Sequence, residues 1–169
     1  TAVHWFIHGG VGVLAANQWP DRPLLAISVS LGTHYLLDWL PHKDPGIAST
    51  TARWRSPEVR EFLTVALPDG MFTGALALIL PWLVESMPFG LTAGCVLASV
   101  APDLIDGVAK LTNEPLLQRH LAFHNWIHYD HYRRPVDWGW NIFIHVVLFA
   151  ALAAATGYLI HRNGTALAP

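Results

Sequence analysis

The sequence has little charge and almost no cysteine. Charged residues make up 13% of its 169 residues, whereas soluble domains average about 25%. The net charge of −2 is too small to indicate nucleic acid as a partner. The single cysteine, Cys95, excludes an intramolecular disulfide. Hydrophobic residues, in contrast, make up 53% of the chain, which also contains eight Trp. This composition indicates lipid rather than water as the main solvent.

Five apolar segments appear when the chain is divided at Pro, Gly and charge clusters. They span residues 2–18, 23–40, 59–85, 88–110 and 136–161. A helix of about 20 residues crosses the hydrocarbon core of a bilayer. The last segment is the clearest, because it has no formal charge between Gly139 and Ile160. The predicted fold is therefore all-α, a single polytopic membrane domain over residues 1–169 with about five transmembrane helices.

Lys and Arg are distributed unevenly between the predicted loops. If the N-terminus lies inside, the outer loops hold two of the ten, Arg22 and Arg162. The inner loops hold the other eight, Lys43, Arg53, Arg55, Arg60, Lys110, Arg119, Arg133 and Arg134. Because short cytoplasmic loops are enriched in Lys and Arg, the pattern predicts an inside N-terminus and an outside C-terminus. Loops 41–58 and 111–135 would then face the cytoplasm.

Histidine and aspartate collect where the predicted helices meet the inner membrane face. Near the end of the fourth segment, Asp103 directly follows Pro102, and Asp106 lies three residues after Asp103. Three further pairs have the i, i+4 spacing that places two side chains on one helical face. They are His34 with Asp38, His124 with His128, and His4 with His8. The orientation derived from Lys and Arg brings all these pairs to one side, although it made no use of His or Asp.

A divalent metal site is the predicted use of these residues. A charged Asp inside the membrane costs roughly 2.5 to 3.5 kcal/mol, so it should face a cavity, a partner or a metal ion. Imidazole combined with carboxylate suits Zn²⁺, Fe²⁺ or Mn²⁺, whereas Ca²⁺ and Mg²⁺ prefer oxygen ligands. The alternative for each pair is a polar contact without an ion, such as a His34–Asp38 hydrogen bond.

Other polar and small residues lie inside the predicted spans. Asp69 follows Pro68 as Asp103 follows Pro102, and this short similarity would aim both carboxylates into the bundle. His145 is either a buried, satisfied core histidine or an axial ligand of a haem or pigment. Two GxxxG patterns, at residues 70–74 and 90–94, predict close helix packing.

Three short motifs carry a family resemblance. Residues 33–42 look like a Ser/Thr-His-x-x-x-Asp element, residues 101–106 resemble a Leu-Pro-Asp-x-Asp element, and residues 124–128 are similar to a paired-His element. These are elements of small bacterial integral membrane proteins grouped as predicted membrane-bound metal-dependent hydrolases. Better-known members carry the His-x-x-x-Asp element last rather than first, and one residue rather than two separates their two Asp. The resemblance implies a bacterial inner-membrane location and a metal site.

Two functions are compatible with these features. The first is a metal-dependent hydrolase of lipids or phosphoesters at the cytoplasmic surface, in which an ion lowers the pKa of bound water to about 7. Its metal ligands would be His34, Asp38, Asp103, His124 and His128, and its general base would be Asp106 or His42. The second is a non-catalytic accessory subunit of a larger respiratory or photosynthetic membrane complex, in which the same cluster is structural. The expected partners are the lipid bilayer and, in the second case, other subunits.

Overall fold

The computed structural model describes residues 5–40, 57–83, 87–112, 114–127 and 137–165. Within these residues the chain forms α-helices and no strand, which confirms the predicted all-α class. The helices are α1 (Trp5–Gln18), α2 (Pro23–Asp38), α3 (Pro57–Leu83), α4 (Phe89–Thr112), α5 (Pro115–Asn125) and α6 (Trp138–Thr165). Each predicted apolar segment overlaps one of α1, α2, α3, α4 and α6 over most of its length. The short α5 is additional and lies within the predicted inner loop.

Three of the helices begin at a proline, namely Pro23 in α2, Pro57 in α3 and Pro115 in α5. Proline suits the first helical position because its φ angle is already helical and its missing N–H would have no partner there. The residues before Pro23 and Pro115 make no side-chain capping hydrogen bond. Proline therefore marks these helix starts better than a capping residue does.

Helix α1 is the centre of the bundle and packs against α2, α3, α4 and α6. Its glycines allow this close packing. A Cβ atom placed on Gly12 would lie 2.8 Å from the backbone oxygen of Cys95 in α4. Ala16, Ala26 and Cys95, which are completely buried, continue the contact between α1, α2 and α4. Small residues that bring helix backbones together are typical of membrane bundles.

The predicted GxxxG contacts are looser than those of α1. A Cβ atom on Gly74 or Gly90 would meet nothing within 4 Å, and one on Gly94 would make only an ordinary contact with Ile27. Gly70 faces the side chain of Trp5 rather than a backbone. Close backbone approach is therefore found at α1, where the sequence had not predicted it.

Asp69 holds the first described turn of α1. The backbone N–H of Trp5 donates to its Oδ2 at 2.5 Å, and the N–H of Phe6 donates to its Oδ1 at 3.1 Å. A carboxylate at a helix N-terminus satisfies free N–H groups and interacts favourably with the helix dipole. Asp69 thus has a partner inside the bundle, as predicted, but that partner is a helix end and lies apart from the His/Asp cluster.

Two helices are long and apolar enough to cross a membrane, as judged over the described ranges. They contain the stretches Phe89–Lys110 in α4 and Trp138–Leu159 in α6. Helices α1 and α2 have 14 and 16 residues, fewer than the approximately 20 that a span requires. The apolar part of α3 is limited to Ala66–Trp82. The predicted bundle of five spanning helices is therefore not confirmed, whereas the presence of apolar helices is.

Candidate metal centre

Four predicted ligands from three helices meet at one end of the bundle. His34 and Asp38 come from the last turns of α2, Asp103 from α4 and His124 from α5. One ligand atom from each lies within 4.8 Å of the ligand atoms of the other three. The Nε2 atoms of His34 and His124 are 3.2 Å apart although 90 residues separate them in the sequence. The predicted proximity of these two imidazoles is confirmed.

The distances within the cluster fit a metal coordination sphere. Oδ2 of Asp38 lies 2.9 Å from Nε2 of His34 and 2.8 Å from Nε2 of His124. Oδ1 of Asp103 lies 3.8 Å from Nε2 of His34. Neighbouring ligands of a tetrahedral or octahedral ion with bonds of about 2.0–2.1 Å are about 2.8–3.4 Å apart. The distances among His34, Asp38 and His124 already fall in this range, whereas Asp103 would have to move closer to bind the same ion.

The outer nitrogens of both ligand histidines are held by hydrogen bonds. Nδ1–H of His34 donates to the backbone oxygen of Ser99 at 2.7 Å, and Nδ1–H of His124 donates to Oδ2 of Asp106 at 2.7 Å. A carbonyl or carboxylate oxygen can only accept in such a bond, so Nδ1 of each ring carries a hydrogen. When the ring is neutral, its Nε2 atom therefore has the free lone pair that can bind an ion. This is the usual arrangement of histidines that bind metals.

The ring of His124 lies between the carboxylates of Asp106 and Asp38, and these two groups determine its pKa. Burial by itself lowers its pKa, but hydrogen bonds to Asp106 and Asp38 outweigh burial and raise the pKa from 6.5 to about 10. Without a cation the cluster therefore holds a proton on His124. A metal ion would replace that proton as the positive charge between the carboxylates.

Asp106 connects the cluster to a hydrogen-bonded chain that the sequence analysis did not predict. Its Oδ1 accepts from Nδ1–H of His120 at 2.9 Å. The hydroxyl of Tyr35 in turn donates to Nε2 of His120 at 3.0 Å. The signal was the i, i+4 spacing of His120 and His124, which places both on one face of α5.

Exposure differs sharply across the cluster. The side chains of His34, Asp38 and His124 are at most 1% exposed, whereas that of Asp103 is 24% exposed. Asp103 therefore forms the edge at which the cluster opens to its surroundings.

A further histidine lies against the cluster. His8 of α1 is 1% exposed, and its Nε2 lies 3.3 Å from Oδ1 of Asp38. Its ring packs on that of His34, with centroids 4.3 Å apart. The sequence had noted His8 only as half of the His4/His8 pair.

Comparisons with protein-family models, with curated proteins and with solved structures find no match to this chain. The resemblance to membrane-bound hydrolases therefore rests on the three short motifs.

The remaining predicted residues lie beside the cluster, elsewhere in the bundle, or outside the described residues. His4, His42 and His128 fall in the last group. Asp106, predicted as a general base, has its two oxygens next to His120 and His124. His145 in α6 is partly buried, and its Nδ1–H donates to the backbone oxygen of Asn141 at 2.7 Å. This contact is compatible with both predicted alternatives for His145.

Proposed function

We propose that this protein is a polytopic membrane protein with a divalent transition-metal centre that hydrolyses lipid or phosphoester substrates at the cytoplasmic membrane surface. The observation that carries this proposal is the buried group His34, Asp38 and His124, open at one edge through Asp103. When bound, a Zn²⁺, Fe²⁺ or Mn²⁺ ion supplies Lewis-acid polarisation of a phosphoryl or carbonyl oxygen and activates water for attack.

Exposed apolar side chains support insertion of the whole bundle. Only 6% of the apolar stretch of α6 is buried inside the protein, so α6 is not the core helix of a soluble domain. Large apolar residues are also exposed on α2 and α3, among them Leu24, Leu36, Met71 and Trp82. Such surface is stable where lipid covers it. The short α1 is mostly enclosed by other helices, so it needs no complete lipid-facing span.

The protein's own residues have distinct roles in this proposal. His34 and His124 provide nitrogen ligands, and Asp38 provides the buried anionic ligand between them. Asp103 completes the group at the open edge, where a substrate would approach. Asp106 is a positioning residue that fixes the ring of His124, because both its oxygens already accept from histidines.

The accessory-subunit alternative also has an observation in its favour. The outward face of α6 exposes Phe143, Val146 and Phe149, and a neighbouring subunit would cover such a face as well as lipid does. Purification with a stoichiometric large complex would favour this alternative. A monodisperse protein carrying bound metal would favour the enzyme.

The test combines metal analysis with an activity assay on the protein purified in detergent without added metal. We expect bound Zn, Fe or Mn, and hydrolysis of bis(p-nitrophenyl) phosphate or of phosphatidic acid in mixed micelles. A chelator should abolish hydrolysis, and adding the same metal back should restore it. The variant His34→Gln should lose both metal and hydrolysis. Metal content equal in wild type and His34→Gln, or hydrolysis that persists after chelation, would reject the proposal.

A further inference from the structure

We infer that the centre takes two divalent ions, with Asp38 bridging them and His8 binding the second. This inference rests on the proposed metal centre and extends it. The four-residue group described above accounts for one ion only. It gives no role to His8, which contacts the second oxygen of Asp38.

The two oxygens of Asp38 face different histidines. Oδ2 lies between the Nε2 atoms of His34 and His124, whereas Oδ1 faces Nε2 of His8 on another helix. A carboxylate that presents each oxygen to a different set of nitrogens has the arrangement of a bridging ligand. A single ion would need only one of these sets.

The separation of the histidine rings matches a pair of ions. The rings of His8 and His34 are tilted by 31° and their centroids are 4.3 Å apart. Each ring brings its Nε2 to a different oxygen of the same carboxylate. Ions in two-metal sites are about 3.5–4 Å apart, so one ion on each ring is compatible with the observed stacking.

The surroundings of His8 leave its nitrogen free to bind an ion. The 3.3 Å contact from Nε2 to Asp38 is longer than the roughly 2.7–2.9 Å of a strong charge-assisted hydrogen bond, but is typical of two neighbouring ligands. Among the residues that the structure describes, the buried Nδ1 has no hydrogen-bond partner. None of these residues therefore fixes the tautomer, and the proton can occupy Nδ1 while Nε2 binds a metal.

The second ion is held less firmly than the first. Of the residues that the structure describes, only His8 and Oδ1 of Asp38 are placed to bind it, with Asp103 at the nearby edge. Beyond these described residues, water or substrate oxygens can complete its coordination shell. Two ions at that edge suit a substrate with a phosphate group, because each can contact one oxygen of the transferring group.

The experiment uses Mn²⁺ as the probe on the full chain in detergent. The protein is stripped with chelator and dialysed against buffered free Mn²⁺, and bound Mn is measured together with its electron paramagnetic resonance spectrum. We expect two Mn per chain at saturation, and a spectrum of two exchange-coupled ions. The variant His8→Gln should bind one Mn with an uncoupled spectrum, and its first-ion affinity should fall no more than about ten-fold.

A matched control is His145→Gln, which changes a histidine outside the cluster and should keep two coupled ions. The wild-type spectrum tests the inference even if His8→Gln fails to fold. One Mn per chain in both wild type and His8→Gln would overturn the two-ion centre while the proposed metal centre stands. A single wild-type ion that is lost in His8→Gln would also overturn it. No Mn in the wild type would reject the proposed metal centre itself.

Discussion

At the scale of single residues, the cluster shows what helical spacing can and cannot reveal. The spacing of His34 and Asp38 correctly predicted that both face one site, because a helix places residues i and i+4 on the same side. For His124 the same rule offered two partners, His120 and His128. The predicted partner was His128, which lies outside the described residues. The structure shows His120 on the shared carboxylate Asp106.

Removing either cluster carboxylate should remove the metal. We expect Asp38→Ala and Asp103→Ala each to weaken metal binding more than about 100-fold, since loss of an outer-shell partner alone costs 10–100-fold. The loss should be greater for Asp38, which contacts both ligand histidines. Titration with a competing fluorescent chelator measures both. Asp21→Ala, an exposed aspartate outside the cluster, is the control. Unchanged affinity in both variants would disprove the ligand assignment.

Metal binding should also depend on pH through His124. Its raised pKa of about 10 means that the ring is protonated at pH 7 and must release that proton to bind an ion. Apparent metal affinity should therefore rise with pH between 6.5 and about 10, by up to about ten-fold per pH unit from this group. The stability of the metal-free fold has the opposite pH dependence. The raised pKa stabilises this fold fully below pH 6.5, and this contribution is lost towards pH 10.

Affinity measured with the same chelator at pH 6.5, 7.5 and 8.5 checks this dependence. Asp106→Asn serves as the comparison, because its carboxylate is a main cause of the raised pKa. The slope should be shallower in that variant. A wild-type affinity that does not change over this range would show that His124 has no proton to release when the ion binds.

At the scale of helices, the segments were predictable but their contacts were not. Apolar runs interrupted by Pro and charge located α1, α2, α3, α4 and α6, because these signals are local. The same signals suggested that the GxxxG patterns would mediate close packing. Open space beside Gly74 and Gly90 shows that a small residue permits close approach without requiring it.

Replacing two different glycines by alanine tests the central packing of α1, because one lies against a backbone and the other faces open space. Gly12→Ala would place a Cβ atom 2.8 Å from the backbone oxygen of Cys95, and such overpacking costs about 1–3 kcal/mol. Gly74→Ala meets nothing within 4 Å and should stabilise α3 by about 0.5–1 kcal/mol. Thermal unfolding in detergent, followed by circular dichroism, compares the two. Equal stability of both variants would contradict the close contact between α1 and α4.

At the scale of the whole molecule, the proposed orientation brings the cluster to the cytoplasmic face. The first half of α1, the last turns of α2 and the second half of α4 meet at the cluster, so the candidate metal ligands lie on one side of the bundle. The uneven distribution of Lys and Arg predicts that this side is inside.

Cysteine labelling in intact bacterial cells tests this orientation. Asp21→Cys and Leu116→Cys, both at exposed positions, are introduced separately with the buried Cys95 replaced by Ala. A membrane-impermeant maleimide added outside should label Asp21→Cys but not Leu116→Cys until the membrane is permeabilised. Labelling of Leu116→Cys alone in unbroken cells would show an inverted topology.

The sequence by itself determined the all-α class, the positions of the helices and the residue types available for a metal site. These features follow from composition and from periodicity within one segment. Only the tertiary structure decided which polar residues meet, because that depends on how each helix is rotated about its axis and which neighbour it contacts. Asp69 and Asp103 both follow a proline inside a helix. Packing places one on the end of α1 and the other beside His34.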